Sequence, residues 1–158
     1  MKIAISIVKG IDKVDKEMES SLKLFIVLSR AYRSVNESVN MHIQQSGLNP
    51  TEFAVMELLY HKGKQPLQQI GGKILLASGS ITYVVDKLEQ KSFVKRTGSP
   101  VDRRVIYAEI TQKGRDYIED FFPEHAKRIH NLISTLDEDE QKQAIDLLKK
   151  LGLSIKKM

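Results

Sequence analysis

The stretch from Ser78 to Gly114 constrains this chain more than any other, because its periodicity changes once and its reversal is basic. In the first half, Ile81, Val84, Val85 and Leu88 fall at i, i+3, i+4 and i+7, the spacing of a helix with one buried face. Ser78 or Ser80 can cap that helix, since a hydroxyl there accepts from an orphan N–H of the first turn. The opposite face carries Gly79, Ser80, Thr82, Tyr83 and Lys87, with Asp86 as its acid. A leading end that is polar but not acidic suits insertion into a DNA major groove, where hydroxyls read base edges or hold phosphates. The second half predicts a hairpin. Phe93-Val94-Lys95-Arg96-Thr97 and Val105-Ile106-Tyr107-Ala108-Glu109-Ile110 are β-prone, and the turn-rich segment between them ends in Arg103 and Arg104. A helix followed by a basic-tipped hairpin outlines a winged helix.

The charge balance agrees with a polyanionic partner. The chain of 158 residues carries 25 Lys and Arg against 20 Asp and Glu, a net +5, and its pI is about 9.3. Much of that excess lies between Asp86 and Arg115, where Lys87, Lys91, Lys95, Arg96, Arg103, Arg104, Lys113 and Arg115 oppose four acids. A charge count alone also fits a solvated basic surface, so the hairpin context carries the reading. There are no cysteines, which excludes disulfides, thiolate nucleophiles and Cys-ligated zinc. The apolar run 3–8 is too short to span a bilayer, and Gly10, Asp12 and Lys13 follow it rather than a cleavage site. A soluble cytoplasmic protein with no membrane association is expected.

In chain order, residues 1–17 form an extension of unassigned role. A long helix is expected from Glu19 to about Gln45, ended by Gly47. Asn49-Pro50-Thr51-Glu52 reads as a helix start, with Asn49 the cap, Pro50 at the first position and Glu52 completing a capping box. That helix is expected to bury Phe53, Val55 or Met56, and Leu58 or Leu59, and to stop near Gly63. A short helix from Leu67 to about Lys73 follows, with Leu67, Ile70 and Ile74 inward, so that residues 66–91 form a helix-turn-helix. Gly71-Gly72 inside it signals either close helix approach or local looseness. Thr111 is expected to cap a long helix that Pro123 kinks or breaks near Phe122. The acidic run 137–140 suits the positive end of a last helix bearing Ala144, Leu147, Leu148 and Leu151. These terminal helices carry more apolar surface than a small winged-helix core can cover, which predicts a homodimer. The expected organisation is therefore an N-terminal dimerisation helix (18–48), a winged helix-turn-helix lobe (49–114) and C-terminal dimerisation helices (115–158). The fold class is mainly α with a small β-hairpin wing.

At this point the chain resembles a known family. Asp86-Lys87-Leu88-Glu89, the triplet Asp102-Arg103-Arg104 and the element Thr111-Gln112-Lys113-Gly114, in this order between long flanking helices, resemble the MarR family of bacterial transcription regulators. The resemblance extends from about Leu22 to the C-terminus, and within the family the chain is similar to repressors of the quinone- and catechol-detoxification branch. Ser92 departs from the pattern, which has glycine after the recognition helix; a left-handed serine costs on the order of 1 kcal/mol.

The resemblance implies a dimer reading successive major grooves of a roughly palindromic site, with recognition helices about 34 Å apart. Ser78, Ser80, Thr82, Tyr83 and Lys87 are the candidate groove contacts. It implies that Asp102 orients the Arg104 guanidinium into the minor groove, where narrow A·T-rich DNA concentrates negative potential. Arg103 is then a phosphate contact or surface charge, and Lys95 and Arg96 meet phosphates beside the wing. It also implies a small-molecule effector, phenolic or quinone-like, in a pocket for which Phe25, Tyr32, Phe53, Met56 and Tyr60 are candidates; the same residue types are also ordinary core. A ligand that prefers mis-spaced recognition helices would release DNA, so repression relieved by ligand is the expected mode.

Three rival readings are weaker. An enzyme lacks support, since His42, His61, His125 and His130 are scattered and no Gly-rich phosphate loop or Gly-x-Ser-x-Gly element is present. A metal-responsive regulator needs His125 and His130, five apart and off one helix face, to recruit Glu124 and His42. No metal or cofactor is expected. A winged-helix protein-interaction module without DNA binding is opposed by the intact Asp102 and Arg104.

Overall fold

A computed structural model describes residues 16–74 and 80–155. Helix α1 (Lys16–Gln45) is followed by α2 (Pro50–Lys62), strand β1 (Gln65–Pro66), α3 (Leu67–Lys73) and α4 (Ile81–Gln90). Strands β2 (Val94–Gly98) and β3 (Ile106–Ile110) then lead into α5 (Gln112–Ile133) and α6 (Glu138–Ile155). The chain divides into two compact units, Met1–Ser38 and Val39–Met158. In the first, α1 leaves large apolar side chains exposed, among them Leu24, Phe25, Val27 and Tyr32.

The second unit is built on α2. Its start is set locally: the Asn49 side chain accepts the Glu52 N–H at 2.9 Å, and Glu52 accepts the Asn49 N–H at 3.0 Å. Both Val55 and Met56 are buried, as is Leu59, while Leu58 is half-buried. Around α2 gather Ile70 of α3, Val84, Val85 and Leu88 of α4, and Val94, Ala108 and Ile110 of the sheet. Glu52 is buried, and its charge is met by Lys91 Nζ at 2.9 Å, which also donates to the Gly47 carbonyl at 2.9 Å. One ammonium thus ties the turn after α1 and the start of α2 to the end of α4.

The sheet has three antiparallel strands in the order β1-β3-β2, one more than the expected hairpin. Gln65 pairs with Ala108 and Pro66 with Tyr107. The extra strand is only two residues long and holds a proline, which cannot donate to a ladder and so fits an edge. Between β2 and β3 the register runs from Val94 with Ile110 to Gly98 with Ile106.

Helix α4 ends where expected, and at a cost. Ser92 adopts φ 62°, its N–H donates to the Glu89 carbonyl at 2.8 Å, and the Phe93 N–H donates to the Leu88 carbonyl at 2.9 Å. This is the paired-bond helix terminus that glycine usually supplies. Ser92→Gly is therefore expected to raise stability by about 1 kcal/mol, read as a higher urea midpoint at unchanged slope.

At α3, Gly71 lies where an added Cβ would sit 3.3 Å from Ile81 Cγ1, which explains that glycine by close approach; Gly72 faces open space. Pro123 does not break α5, which runs unbroken from Gln112 to Ile133. The proline ring removes one helical N–H, and buried Ile118 and His125 anchor the helix on either side of it. Helix α6 starts on a second capping box, Asp137 with Glu140, at 2.9 and 3.0 Å. It buries no residue at all. Among the described residues no helix is long and apolar enough to cross a membrane.

Candidate nucleic-acid interface

Helix α4 turns Val84, Val85 and Leu88 into the core and leaves Ser80, Thr82 and Tyr83 exposed. Ser80 occupies the N-cap position, but its side chain accepts no capping hydrogen bond, so the hydroxyl is not used in the way a cap residue uses it. Lys87 is half-buried, with Nζ 5.4 Å from the centroid of the Tyr83 ring. Ser78 lies outside the described residues.

The two acids of α4, Asp86 and Glu89, converge on one wing residue. Arg96 of β2 places Nη1 2.6 Å from Asp86 Oδ1 and 2.5 Å from Glu89 Oε2. Its Nη2 donates to the Thr82 carbonyl at 3.1 Å, and its backbone N–H donates to Glu89 Oε1 at 2.9 Å. This guanidinium fork fastens the recognition helix to the wing and neutralises the only carboxylates on that helix. Arg96, expected from the sequence to meet phosphate beside the wing, is thus half-buried and engaged by α4, where it holds helix and wing together. Lys95 remains largely exposed and pairs loosely with Glu109 across the ladder at 3.5 Å.

The wing tip is organised by two short side chains. Ser99 Oγ accepts the N–H groups of Val101 and Asp102, each at 3.2 Å, and Asp102 Oδ1 accepts the Arg104 backbone N–H at 2.9 Å. The side-chain pairing expected between Asp102 and Arg104 is not found. The carboxylate instead shapes the turn from which Arg104 departs, a short-range bond that costs little ordering, whereas an exposed ion pair gains little in water. Arg103 and Arg104 are both exposed, and Val101 at the apex is 93% exposed. The tip presents cations on a defined backbone.

The effector candidates scatter. Phe25 and Tyr32 are exposed on α1 in the first unit, while Phe53 and Met56 are buried on α2 in the second. Met56 is fully buried core. Tyr60 donates to Glu119 Oε1 at 3.0 Å, a bond that raises its phenol pKa, and it borders a cleft of about 210 Å³ with Phe122 and Pro123.

A larger cleft of about 400 Å³ opens between the end of α1, α2 and α5, lined by Asn40, Phe53, Glu57, His61 and His125 among others. His125 is buried on α5, and burial, then His42, lowers its pKa, which favours the neutral imidazole. Its ring stacks on His42 at 5.4 Å and 7°, beside Phe121 at 5.2 Å. Buried Nδ1 of His125, Nε2 of His42 and Oδ1 of Asn40 have no hydrogen-bond partner among the described residues. Sequence spacing held no sign of this cluster, since packing of α1 on α5 is what joins its members. Among the described residues no group of three or more His, Asp or Glu stands together as a metal site.

An exposed polar helix pinned to a cation-tipped wing is the arrangement of a winged helix-turn-helix, the class of protein that this fold defines. The sequence profile of the MarR family matches residues 48–106. The chain is 64% identical to the HTH-type transcriptional regulator MhqR of Bacillus subtilis (strain 168), over 87% of this chain and 95% of that protein. The fold matches Sco3205, a MarR family transcriptional regulator from Streptomyces coelicolor in complex with DNA. That match has TM-score 0.75 and 15% identity, over 90% of this chain and 93% of that one. It also matches a mutant MarR from E. coli complexed with operator DNA, with TM-score 0.73 and 19% identity over 87% and 99% of the two chains. The chain belongs to the MarR family: it is an MhqR-like DNA-binding transcription regulator and not an enzyme.

Proposed function

We propose that the protein is a cytoplasmic homodimeric repressor that binds a roughly palindromic operator and releases it when a phenolic or quinone-like molecule occupies the α1–α2–α5 cleft. Dimerisation is supported by α6, an 18-residue helix with no buried side chain but with Leu147, Leu148, Leu151 and Leu153 on its surface. Most of the stability of a helix in a protein comes from packing of its apolar face, so a second copy covering it supplies the missing burial. Ser80, Thr82, Tyr83 and Lys87 of each protomer enter a major groove, with Ser78 just before them. Arg104 enters the flanking minor groove, Asp102 shapes its turn, and Arg103 and Lys95 meet phosphates. Arg96 fixes the angle between helix and wing.

The observation that carries the effector reading is the cleft, because unpartnered buried polar atoms beside stacked rings are costly unless a ligand completes them. Phe53 belongs to that site, and Glu57, His61 and His125 join it. The test is release of operator DNA by catechol or hydroquinone, followed by fluorescence anisotropy, for the wild type and His125→Leu. Release at roughly 10-fold or higher ligand concentration in His125→Leu is expected; equal release would remove the cleft from the mechanism.

A further inference from the structure

Of the polar atoms left without partners around the cleft, one is an oxygen. His125 Nδ1 and His42 Nε2 can each be donor or acceptor, because an imidazole nitrogen takes either part according to where the ring proton sits. Asn40 Oδ1 can only accept. Asn40 stands near the end of α1 and lines the same cleft as Phe53 and His125. Two rings of the cleft wall, Phe53 and His125, lie 5.0 Å apart, and His125 is stacked in turn on His42 and Phe121. Such a wall accepts a flat aromatic ring, and an orphan acceptor beside it selects what the ring's edge must carry. The charged groups of the cleft, Glu57, Lys62 and Lys73, are half-buried or exposed, and Lys73 is already engaged by Gln65 and Gln69 at 2.6 and 3.2 Å.

We infer that Asn40 is a specificity-determining residue of the effector site, its side-chain oxygen accepting from a ring hydroxyl of the ligand. This rests on the reading of the cleft as the effector site. The site then selects hydroxyl-bearing aromatics over the same ring bearing only ether or carbonyl oxygens, because an oxygen without hydrogen placed against Asn40 Oδ1 leaves two acceptors facing each other. A site that reads the hydroxyl also separates a reduced aromatic diol from its oxidised dicarbonyl form, with no redox chemistry in the protein.

The experiment is isothermal titration calorimetry of the full chain with hydroquinone, 4-methoxyphenol and 1,4-dimethoxybenzene, which share a ring and lose one donor at each step. Wild type is expected to bind hydroquinone at least about 10-fold more tightly than the diether. Asn40→Leu is expected to level that preference, and Asn40→Asp, which keeps an acceptor at the same position, to retain it. Thermal unfolding of both variants identifies any loss of fold, and Asn40→Ala, which also removes the acceptor, carries the decision if the Leu variant unfolds. Equal binding of all three probes by wild type, or an undiminished preference in folded Asn40→Leu, overturns the role of Asn40 while leaving the cleft as a ligand site. Absence of binding by every probe in wild type overturns the effector reading and this inference with it.

Discussion

Gly114→Ala is expected to cost on the order of 3 kcal/mol, the largest loss from adding a methyl group at any of the described glycines. Gly114 sits in the first turn of α5, where its N–H donates to the Thr111 hydroxyl at 3.1 Å. A Cβ there would collide with the Phe93 carbonyl oxygen, a backbone atom, and stand 2.8 Å from Ile110 Cγ1. Neither neighbour can yield freely. The Phe93 carbonyl accepts the Thr111 N–H at 2.9 Å, and Ile110 is buried core at the end of β3. Relief would require moving α5 away from the wing. Gly72→Ala is the control: nothing lies within 4 Å of its added Cβ, so the gain in helix propensity of about 1 kcal/mol should dominate. Urea unfolding of both variants gives the comparison, with a lower midpoint for Gly114→Ala and a higher one for Gly72→Ala.

Arg104→Ala is expected to weaken operator binding by about 1–3 kcal/mol and to flatten the salt dependence by roughly one unit of slope. The guanidinium is exposed at the wing tip and its backbone N–H is already satisfied by Asp102, so truncation removes charge without disturbing the turn. Stability should stay within about 0.5 kcal/mol of wild type. Asp102→Ala should behave differently. It deletes the acceptor that shapes the turn, so affinity falls while the protein keeps every wing cation and nearly the same salt slope. Anisotropy titrations at several salt concentrations separate the two patterns.

What could be seen in the sequence was what depends on neighbours in the chain. The capping box at Asn49 and Glu52, the left-handed residue at Ser92 and the cap at Thr111 each involve residues only a few positions apart, and each forms as local chemistry dictates. The winged-helix outline was legible because its helix and strands differ in period. The bonding of Arg96 to α4 was not legible because its three partners lie on another element, and an arginine beside a wing looks the same whether it faces phosphate or carboxylate. The atoms that join Asp102 to Arg104 were not legible, since donation by the arginine backbone and by its side chain share one spacing. The two-residue strand β1 has no periodicity to read. His42 and His125 belong to helices at opposite ends of the chain, and only the packing of α1 on α5 stacks them. Of the effector candidates, aromatic character alone could not separate Met56, which is closed core, from Phe53, which reaches a cleft.

The central claim is that the recognition helix and wing read a specific DNA sequence. Its most direct test is fluorescence anisotropy of the wild-type protein on duplex DNA from its own upstream region, against a scrambled duplex of equal length, across a salt series. The upstream duplex is expected to bind about 10³-fold more tightly at physiological salt, with log affinity falling steeply and linearly with log salt for both. Equal affinity for the two duplexes would contradict recognition of that region, and no binding to either at low salt would contradict DNA reading by this surface altogether.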